Sequence, residues 1–381
     1  MSQEVSMPKM KSFPQQPANF TNSPSMDVLL DIAQKIQIKS GFCIEHSNYK
    51  PYKLPVEVVR QLQQLPIETR EKYLSQQLQF FLYGVYYSGF LIEQLLFDGD
   101  SDTFILGEEL ENSTFLEVDR EFYDRLDTSN NGIGYFDPGW QVVGIDSGDG
   151  SLVVIKNGLT LHIERNAGNE KEFSLLQKGS SISIRLPKSQ LQNGFYIAVG
   201  NAGLFSQDGR GGSLNTVRVY FNLMSEGASS IMHDLTKQIN EAIIPFYFKT
   251  LYNPSDYSNR CDCAILYFER RNYHAIKSVL ESIYVKHQAY FQNEVPLFTK
   301  MLAPGLALAE EPARKFSERE SFGQNRCQIV ARGLLEAKQK GIDNLQEQAA
   351  IIIQNFSSLE IDPQRPYLNA NSEDIYVPLD L

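Results

Sequence analysis

In the segment TVRVYFNL, Thr216 to Leu223, apolar and polar side chains alternate strictly. A period of two is typical of a β-strand, and it separates the side chains into two faces. The apolar face, which is expected to pack on the core, consists of Val217, Val219, Phe221 and Leu223. The polar face, which is expected to carry the chemistry, consists of Arg218, Tyr220 and Asn222.

The segments around this strand predict a sheet of antiparallel strands with helices packed on it. Between Gly132 and Gly203 the chain reads as short strands, and Asn157-Gly158 predicts a type I′ hairpin turn because Asn-Gly accepts positive φ. Downstream, the periodicity predicts helices over 228–243, 273–288, 317–338 and 344–356, strands over 244–252 and 262–269, and an extended arm over 367–381. Residues 131–381 are therefore predicted to form an α+β domain.

The first third of the chain is predicted to be helical. Residues 1–25 are rich in Pro, Ser and Gln and are expected to be a disordered tail, and 26–130 show helical periodicity, with a first helix predicted over 26–39. The most apolar stretch, Phe80 to Phe97, contains Gly, Glu and Gln, whereas a membrane span needs about 20 mainly apolar residues. We therefore expect a buried helix there, and no membrane partner.

Composition excludes several classes of protein. Hydrophobic residues make up 42% and charged residues 21% of the 381, which excludes a collagen, a coiled coil and a wholly disordered chain. The net charge of −11 argues against a nucleic-acid partner. The four cysteines lack the spacing of a zinc site or a disulfide framework, and no secretory signal is evident, so reduced thiols and a cytoplasmic location are expected.

A group of cations in the second part of this acidic chain suggests an anion site. Its members are Arg218, Lys249, Arg260, Lys300, Arg319 and Arg326. Arg319 and Arg326 lie about two helical turns apart, so on a helix their guanidinium groups would leave the same face and could hold one phosphate. The alternative is that both are solvated arginines of a charged segment.

Lys249 ends the aromatic strand IPFYFK and is a candidate general base. Apolar neighbours and nearby cations favour a neutral amine, which a base requires. The alternative is a strand-end lysine whose amine reaches water. Other chemistries are disfavoured, because the histidines are scattered, no Gly-x-Ser-x-Gly occurs, and Gly209 to Gly212 lacks the rest of a P-loop. Cys261 and Cys263 are expected to be core thiols.

Five segments carry a resemblance to a known family. They are Tyr135 to Trp140, Thr216 to Asn222, Ile244 to Lys249, Phe298 to Glu310 and Ser321 to Arg326. Together they resemble the HopA1 effector family, which includes a plant-pathogen type III effector and homologues in biosynthetic clusters for class V lanthipeptides. The resemblance covers the chain from Tyr135 onward. It implies a fold similar to the phosphothreonine lyases of the OspF and SpvC type, which remove phosphate by β-elimination.

The same resemblance implies roles for individual residues. Lys249 matches the base lysine of the lyases, and Arg218 with Tyr220 matches a Lys-x-His pair, so that Tyr220 stands in the place of the acid histidine. Phosphate would be bound by Arg218, Arg260, Arg319 and Arg326. Tyr267 matches an active-site tyrosine. Asn222 shares the polar face, and Lys300 would be a further stabilising cation.

The implied function is a phosphoserine or phosphothreonine lyase that forms dehydroamino acids in a ribosomally made peptide. The expected partners are a phosphorylated precursor peptide and a kinase that installs the phosphate, with no metal or organic cofactor. One alternative is a non-catalytic protein that binds a phosphorylated partner, which the Tyr220 replacement favours. Another is a host-targeted effector.

Overall fold

The computed structural model describes residues 26–96, 118–164, 176–192, 194–204, 215–318 and 320–381. Three predictions lie outside these residues: the disordered tail, the glycine-rich loop and the placement of Arg319. Helices and antiparallel strands are mixed throughout the described chain, which confirms the α+β class.

Helices occur along the whole described chain, with strands between many of them. They are α1 (Met26–Lys35), α2 (Val56–Gln63), α3 (Ile67–Leu82), a π-helix (Tyr83–Tyr87), α4 (Ile92–Leu96), α5 (Arg120–Ser129), α6 (Ser225–Glu241), α7 (Tyr273–His287), α8 (Phe322–Gln339) and α9 (Leu345–Ser358). The final residues form no helix or strand, as expected for an extended arm.

Within the described residues, the strands form three antiparallel sheets. They are β1 (Ile36–Lys39), β2 (Cys43–His46), β3 (Tyr49–Tyr52), β4 (Tyr135–Ile145), β5 (Leu152–Lys156), β6 (Leu159–Ile163), β7 (Ser181–Leu186), β8 (Ser189–Gln192), β9 (Phe195–Val199), β10 (Thr216–Phe221), β11 (Phe246–Leu251), β12 (Ala264–Glu269), β13 (Lys300–Ala303) and β14 (Leu306–Glu310). The strand orders are β1-β2-β3, β6-β5-β4-β7 and β13-β14-β10-β12-β11-β9-β8. Strand β10 therefore lies inside the largest sheet, between β14 and β12.

Both faces of β10 are buried, although the alternation predicted only one core face. Val217, Val219 and Phe221 have no exposed surface, and Phe221 packs edge-on against Phe248 of β11 at 5.4 Å. On the opposite face Tyr220 is 1% exposed. The polar face is therefore a covered layer rather than an open surface.

Two predicted boundaries were wrong, each for a local reason. The predicted helix over 26–39 ends at Lys35, because IQIK alternates and forms β1, and Gly41 and Phe42 both take positive φ in the turn to β2. The helix predicted over 317–338 begins at Phe322, because Ser321 and Gln324 form a capping box. The predicted type I′ turn is confirmed, with φ of 50° at Asn157 and 81° at Gly158.

One hydrophobic core joins the N-terminal helices to the large sheet. Ile32 of α1, Phe81 of α3, Val219 of β10 and Val330 of α8 all belong to it. The four-stranded sheet has a small core of its own around Trp140. Cys261 and Cys263 are free and buried, as predicted for core thiols. Among the residues that the structure describes, no helix is long and apolar enough to cross a membrane.

His46 of β2 is buried as a neutral ring. Its Nδ1 accepts a hydrogen bond from the Asn48 N–H at 3.1 Å, so the proton is on Nε2, which lies 2.8 Å from the Tyr86 hydroxyl. Burial, together with the charge of Lys35, lowers the pKa of His46 from 6.5 to about 4. Protonation of Nδ1 would place its N–H against the N–H of Asn48 and break this hydrogen bond.

The lowered pKa of His46 predicts that stability falls with acid. The unfolded chain binds the proton near pH 6.5 and the folded chain near pH 4, so folding is favoured above this range and loses that advantage as pH falls through it. Between about pH 7 and about pH 4.5, we expect His46 to account for a loss of about 2 to 3 kcal/mol in the free energy of unfolding. Urea unfolding of the wild type and of His46→Gln at both pH values measures it. An equal loss in both proteins would contradict the assignment.

Candidate functional site

Strand pairing places five of the predicted site residues on the polar face of the large sheet. In the register, Arg218 lies opposite Tyr267, and Tyr220 lies opposite Ile265, which in turn lies opposite Lys249. Residues directly opposite each other in antiparallel strands share a face, as do residues two apart in one strand. The face therefore carries Arg218, Tyr220, Asn222, Lys249 and Tyr267. Since β10 and β11 are separated by one strand, their chains run about 10 Å apart.

Arg218 is held by an acidic residue and an aromatic ring. Its Nε donates to Glu311 Oε2, and its guanidinium lies 5.0 Å from the centre of the Tyr267 ring. The other carboxylate oxygen of Glu311 accepts from Lys315 Nζ at 2.6 Å. Tyr267 stacks on Tyr247 at 4.2 Å. A carboxylate thus lies between two cations at the position where the sequence predicted a phosphate.

Lys249 and Arg260 both contact one aromatic ring, that of Phe195. Lys249 is 3% exposed, and its Nζ lies 4.1 Å from the centre of the Phe195 ring. The guanidinium of Arg260 lies 5.8 Å from the same centre. Arg260 donates from Nε and Nη2 to the two oxygens of Asp262, at 2.8 and 3.0 Å. Burial opposes the charge of Arg260, but Asp262 outweighs burial and raises the pKa.

Tyr220 lies between the π-helix and α8. Its ring centre is 6.3 Å from that of Tyr87 and 6.4 Å from that of Phe322. Burial, followed by the nearby Tyr220, raises the pKa of Tyr87 well above its usual value. The Tyr87 ring lies so close to α8 that a Cβ on Gly323 would be 2.4 Å from it. The missing side chain of Gly323 therefore lets the π-helix cover the polar face.

Arg326 contacts the C-terminal arm instead of facing an open cleft. It is 1% exposed, and it donates from Nε to the Pro366 carbonyl at 2.7 Å and from Nη2 to the Leu368 carbonyl at 3.2 Å. Its guanidinium also lies over the Phe322 ring at 4.9 Å. Burial lowers the pKa of Arg326 to about 10. The structure thus gives Arg326 an anchoring role, next to the predicted role in phosphate binding.

The structure does not bring Lys300 to the polar face. Lys300 lies opposite Leu308 of β14, and Leu308 lies opposite Val219 of β10. Lys300 is therefore on the same side of the sheet as Val219, which is the apolar side. Its Nζ bonds Asp374 Oδ2 at 2.7 Å. The expectation that Lys300 is a further stabilising cation of the site is therefore not supported by its position.

Asn222 lies just beyond the end of β10, where it joins loops together. Its Nδ2 donates to the Glu294 carbonyl at 3.0 Å, and the Cys263 thiol lies 3.9 Å from its Oδ1. Both bonds are buried or nearly so. The structure thus shows Asn222 holding neighbouring loops.

Four residues at the layer were not named from the sequence. They are Tyr83, Tyr87, Asp262 and Glu311. One signal was present: a buried tyrosine needs a partner for its hydroxyl, and the apolar stretch from Phe80 contains three tyrosines. Another was the pair of acids Glu310 and Glu311, of which the first ends the apolar strand LALAE and the second follows it.

A possible metal-ligand group lies elsewhere, on the four-stranded sheet. Ligand atoms of Asp146, Asp149 and His162 lie within 4.8 Å of one another. Two of these side chains are exposed, and backbone N–H groups of Gly148 and Ser151 already bond the two carboxylates. Exposed acidic groups of this kind are common without an ion.

Comparison with known proteins finds one family and two solved structures that are similar to this chain. Residues 186–368 match the HopA1 effector protein family. An effector protein from Pseudomonas syringae pv. tomato strain DC3000 is similar in structure, with 15% identity, a TM-score of 0.39, and coverage of 82% of this chain and 94% of that one. A second, from Pseudomonas syringae pv. syringae strain 61, has 14% identity, a TM-score of 0.38, and coverage of 66% and 81%. No curated protein matches the chain.

The matched residues contain the central strands of the large sheet and the whole polar face. They also contain four of the five segments that carried the sequence resemblance, and only Tyr135 to Trp140 lies before them. Over residues 186–368, just under half of the chain, the protein is therefore similar to the HopA1 effector protein family.

Proposed function

We propose that the chain is a phosphoserine or phosphothreonine lyase that acts on a peptide. The observation that carries this proposal is the shared face of Lys249, Arg218 and Tyr220, together with the Phe195 ring that Lys249 and Arg260 both contact. A base and two phosphate-binding cations are thereby collected in one buried layer. Preorganised charges in such a layer act more strongly than they would in water.

In the proposed reaction, Lys249 takes the proton from the α-carbon of the phosphorylated residue. The electron pair of that bond forms the Cα–Cβ double bond, and the bond from Cβ to the phosphate oxygen breaks. Phosphate leaves with the electron pair of the broken bond, held by Arg218 and Arg260, and Tyr220 supplies a proton to it. The products are a dehydroamino acid and inorganic phosphate.

The phosphate would replace a carboxylate that is already present. Glu311 lies between Arg218 and Lys315, and a phosphate dianion offers the same kind of oxygen acceptors with more charge. Lys315 and Tyr247 are the half-buried side chains at this end of the layer. A peptide would therefore enter beside them while Glu311 moves aside.

The test is incubation with a synthetic phosphothreonine peptide followed by mass spectrometry. Elimination yields a product lighter by one water than the dephosphorylated peptide, so the measurement separates a lyase from a phosphatase. The unphosphorylated peptide serves as the control and should keep its mass. A phosphopeptide whose mass stays unchanged at every enzyme concentration and time would reject the proposal.

The second candidate is a protein that binds a phosphorylated partner without turnover. Tyr220 in the place of the acid histidine favours it. It predicts saturable binding of the same phosphopeptide with no change in mass. The effector description of the relatives is compatible with either candidate, and a phosphorylated precursor peptide and its kinase are proposed partners only of the lyase.

A further inference from the structure

A tyrosine of the N-terminal region is connected to the proposed phosphate site by a short chain of hydrogen bonds. The Tyr83 hydroxyl donates to Asp262 Oδ2 at 3.0 Å, and Asp262 binds Arg260 through both carboxylate oxygens. Tyr83, Asp262 and Arg260 are 2%, 2% and 4% exposed. Because water does not compete for hydrogen bonds that are so buried, Tyr83 helps to orient Asp262, and Asp262 orients Arg260.

We propose that Tyr83 is a positioning residue for Arg260, which it orients through Asp262. The inference rests on the proposed function, since it assigns Arg260 to the phosphate. Two of the five N–H groups of Arg260 bind Asp262, and the other three have no hydrogen bond to a described residue, so they can serve a ligand. Turning the carboxylate would turn the guanidinium with it, because the two are joined by two parallel bonds.

The π-helix explains why Tyr83 reaches the sheet. The Ser88 N–H bonds the Tyr83 carbonyl at 2.9 Å, a bond across five residues, so side chains four to five apart share one face. Tyr83 and Tyr87 stack on each other at 4.9 Å and both face the polar layer. Tyr86 instead bonds His46 of the small sheet.

The loop that carries Arg260 is tied to the same π-helix. The Cys261 N–H bonds the Ser88 carbonyl at 2.9 Å, and the Cys261 thiol lies 3.0 Å from the Tyr87 carbonyl. These contacts and the Tyr83 bond come from residues before 186, outside the part of the chain that matches the family. The N-terminal region thus holds the loop that carries Arg260 in place.

The test compares Tyr83→Phe with Tyr86→Phe. Each variant loses one hydroxyl from the same π-helix and keeps its ring, but only Tyr83 contacts Asp262. We expect Tyr83→Phe to weaken the binding of inorganic phosphate, measured by calorimetry, and to lower kcat/KM for the phosphopeptide, each by about tenfold. Tyr86→Phe should change neither, and circular dichroism of thermal unfolding monitors the folding of both.

A variant that lacks the Asp262 carboxylate tests whether Tyr83 acts on Arg260 through Asp262. In Asp262→Asn, the further change Tyr83→Phe should have no additional effect on phosphate binding. Should Asp262→Asn fail to fold, the comparison of Tyr83 with Tyr86 decides alone. Equal phosphate affinity in Tyr83→Phe and wild type, equal losses in Tyr83→Phe and Tyr86→Phe, or a wild type that binds no phosphate would each overturn the inference. A wild type that binds phosphate but leaves the phosphopeptide's mass unchanged would reject the lyase and leave the inference standing.

Discussion

Replacing Lys249 by methionine is expected to abolish elimination while the phosphopeptide still binds. General-base catalysis contributes roughly 10² to 10⁴-fold, and the amine acts chiefly in the transition state. Methionine keeps an apolar chain against the Phe195 ring, so the packing of the layer should survive. Single-turnover mass spectrometry measures the rate, and fluorescence anisotropy of a labelled phosphopeptide measures binding.

Lys300→Met is the matched control for this variant. Lys300 is a buried lysine of the same sheet that lies on the opposite face from Lys249, and its amine bonds Asp374. The Lys300→Met variant should be less stable, because the ion pair with Asp374 is lost. Under conditions where the variant is folded, it should keep the elimination rate of the wild type. Full elimination by Lys249→Met, or equal losses in both variants, would contradict the role of Lys249 as the base.

The shared face of Arg218, Tyr220 and Lys249 could be predicted only in part from the sequence. The alternation in TVRVYFNL places Arg218 and Tyr220 on one side because a strand repeats every two residues. That Lys249 joins them depends on β12, which pairs with both β10 and β11 and fixes their register. Pairing between strands that are distant in sequence leaves no mark in either strand taken alone.

That the π-helix covers the polar face could not be predicted either, because its contacts with the sheet join residues that are distant in sequence. Tyr83 bonds a residue 179 positions away, and a π-helix lacks the 3.6-residue period by which a helix is recognised. Lys300 shows the reverse case: no strand was predicted around it, so nothing indicated that the β13–β14 hairpin would place it on the other face.

Buried pairs around the layer connect stability to the proposed chemistry. Arg218 with Glu311 and Arg260 with Asp262 are each buried ion pairs, and removing one partner from such a pair leaves an uncompensated charge. A phosphate dianion that displaced Glu311 would keep Arg218 paired throughout binding. In the proposed function, the same carboxylate pairs with Arg218 in the free protein and would be displaced by the phosphate of the substrate.

The second large effect is expected at Arg326, on stability. Arg326→Met leaves the carbonyls of Pro366 and Leu368 without their donor, inside the protein, and removes the group that holds the C-terminal arm to α8. Each unpaired buried carbonyl costs about 1 to 3 kcal/mol, so we expect the free energy of unfolding to fall by about 3 to 5 kcal/mol. Urea unfolding measures the loss.

Arg332→Met provides the comparison on the same helix. Arg332 is exposed, with its guanidinium over the Phe316 ring at 3.9 Å, and its loss should cost less than about 1 kcal/mol. If Arg326 served phosphate alone, Arg326→Met would unfold at the same urea concentration as Arg332→Met and would lose only phosphopeptide affinity. A large loss of stability, together with phosphate affinity retained in the fraction that stays folded, would assign Arg326 to the arm and leave Arg218 and Arg260 as the phosphate ligands.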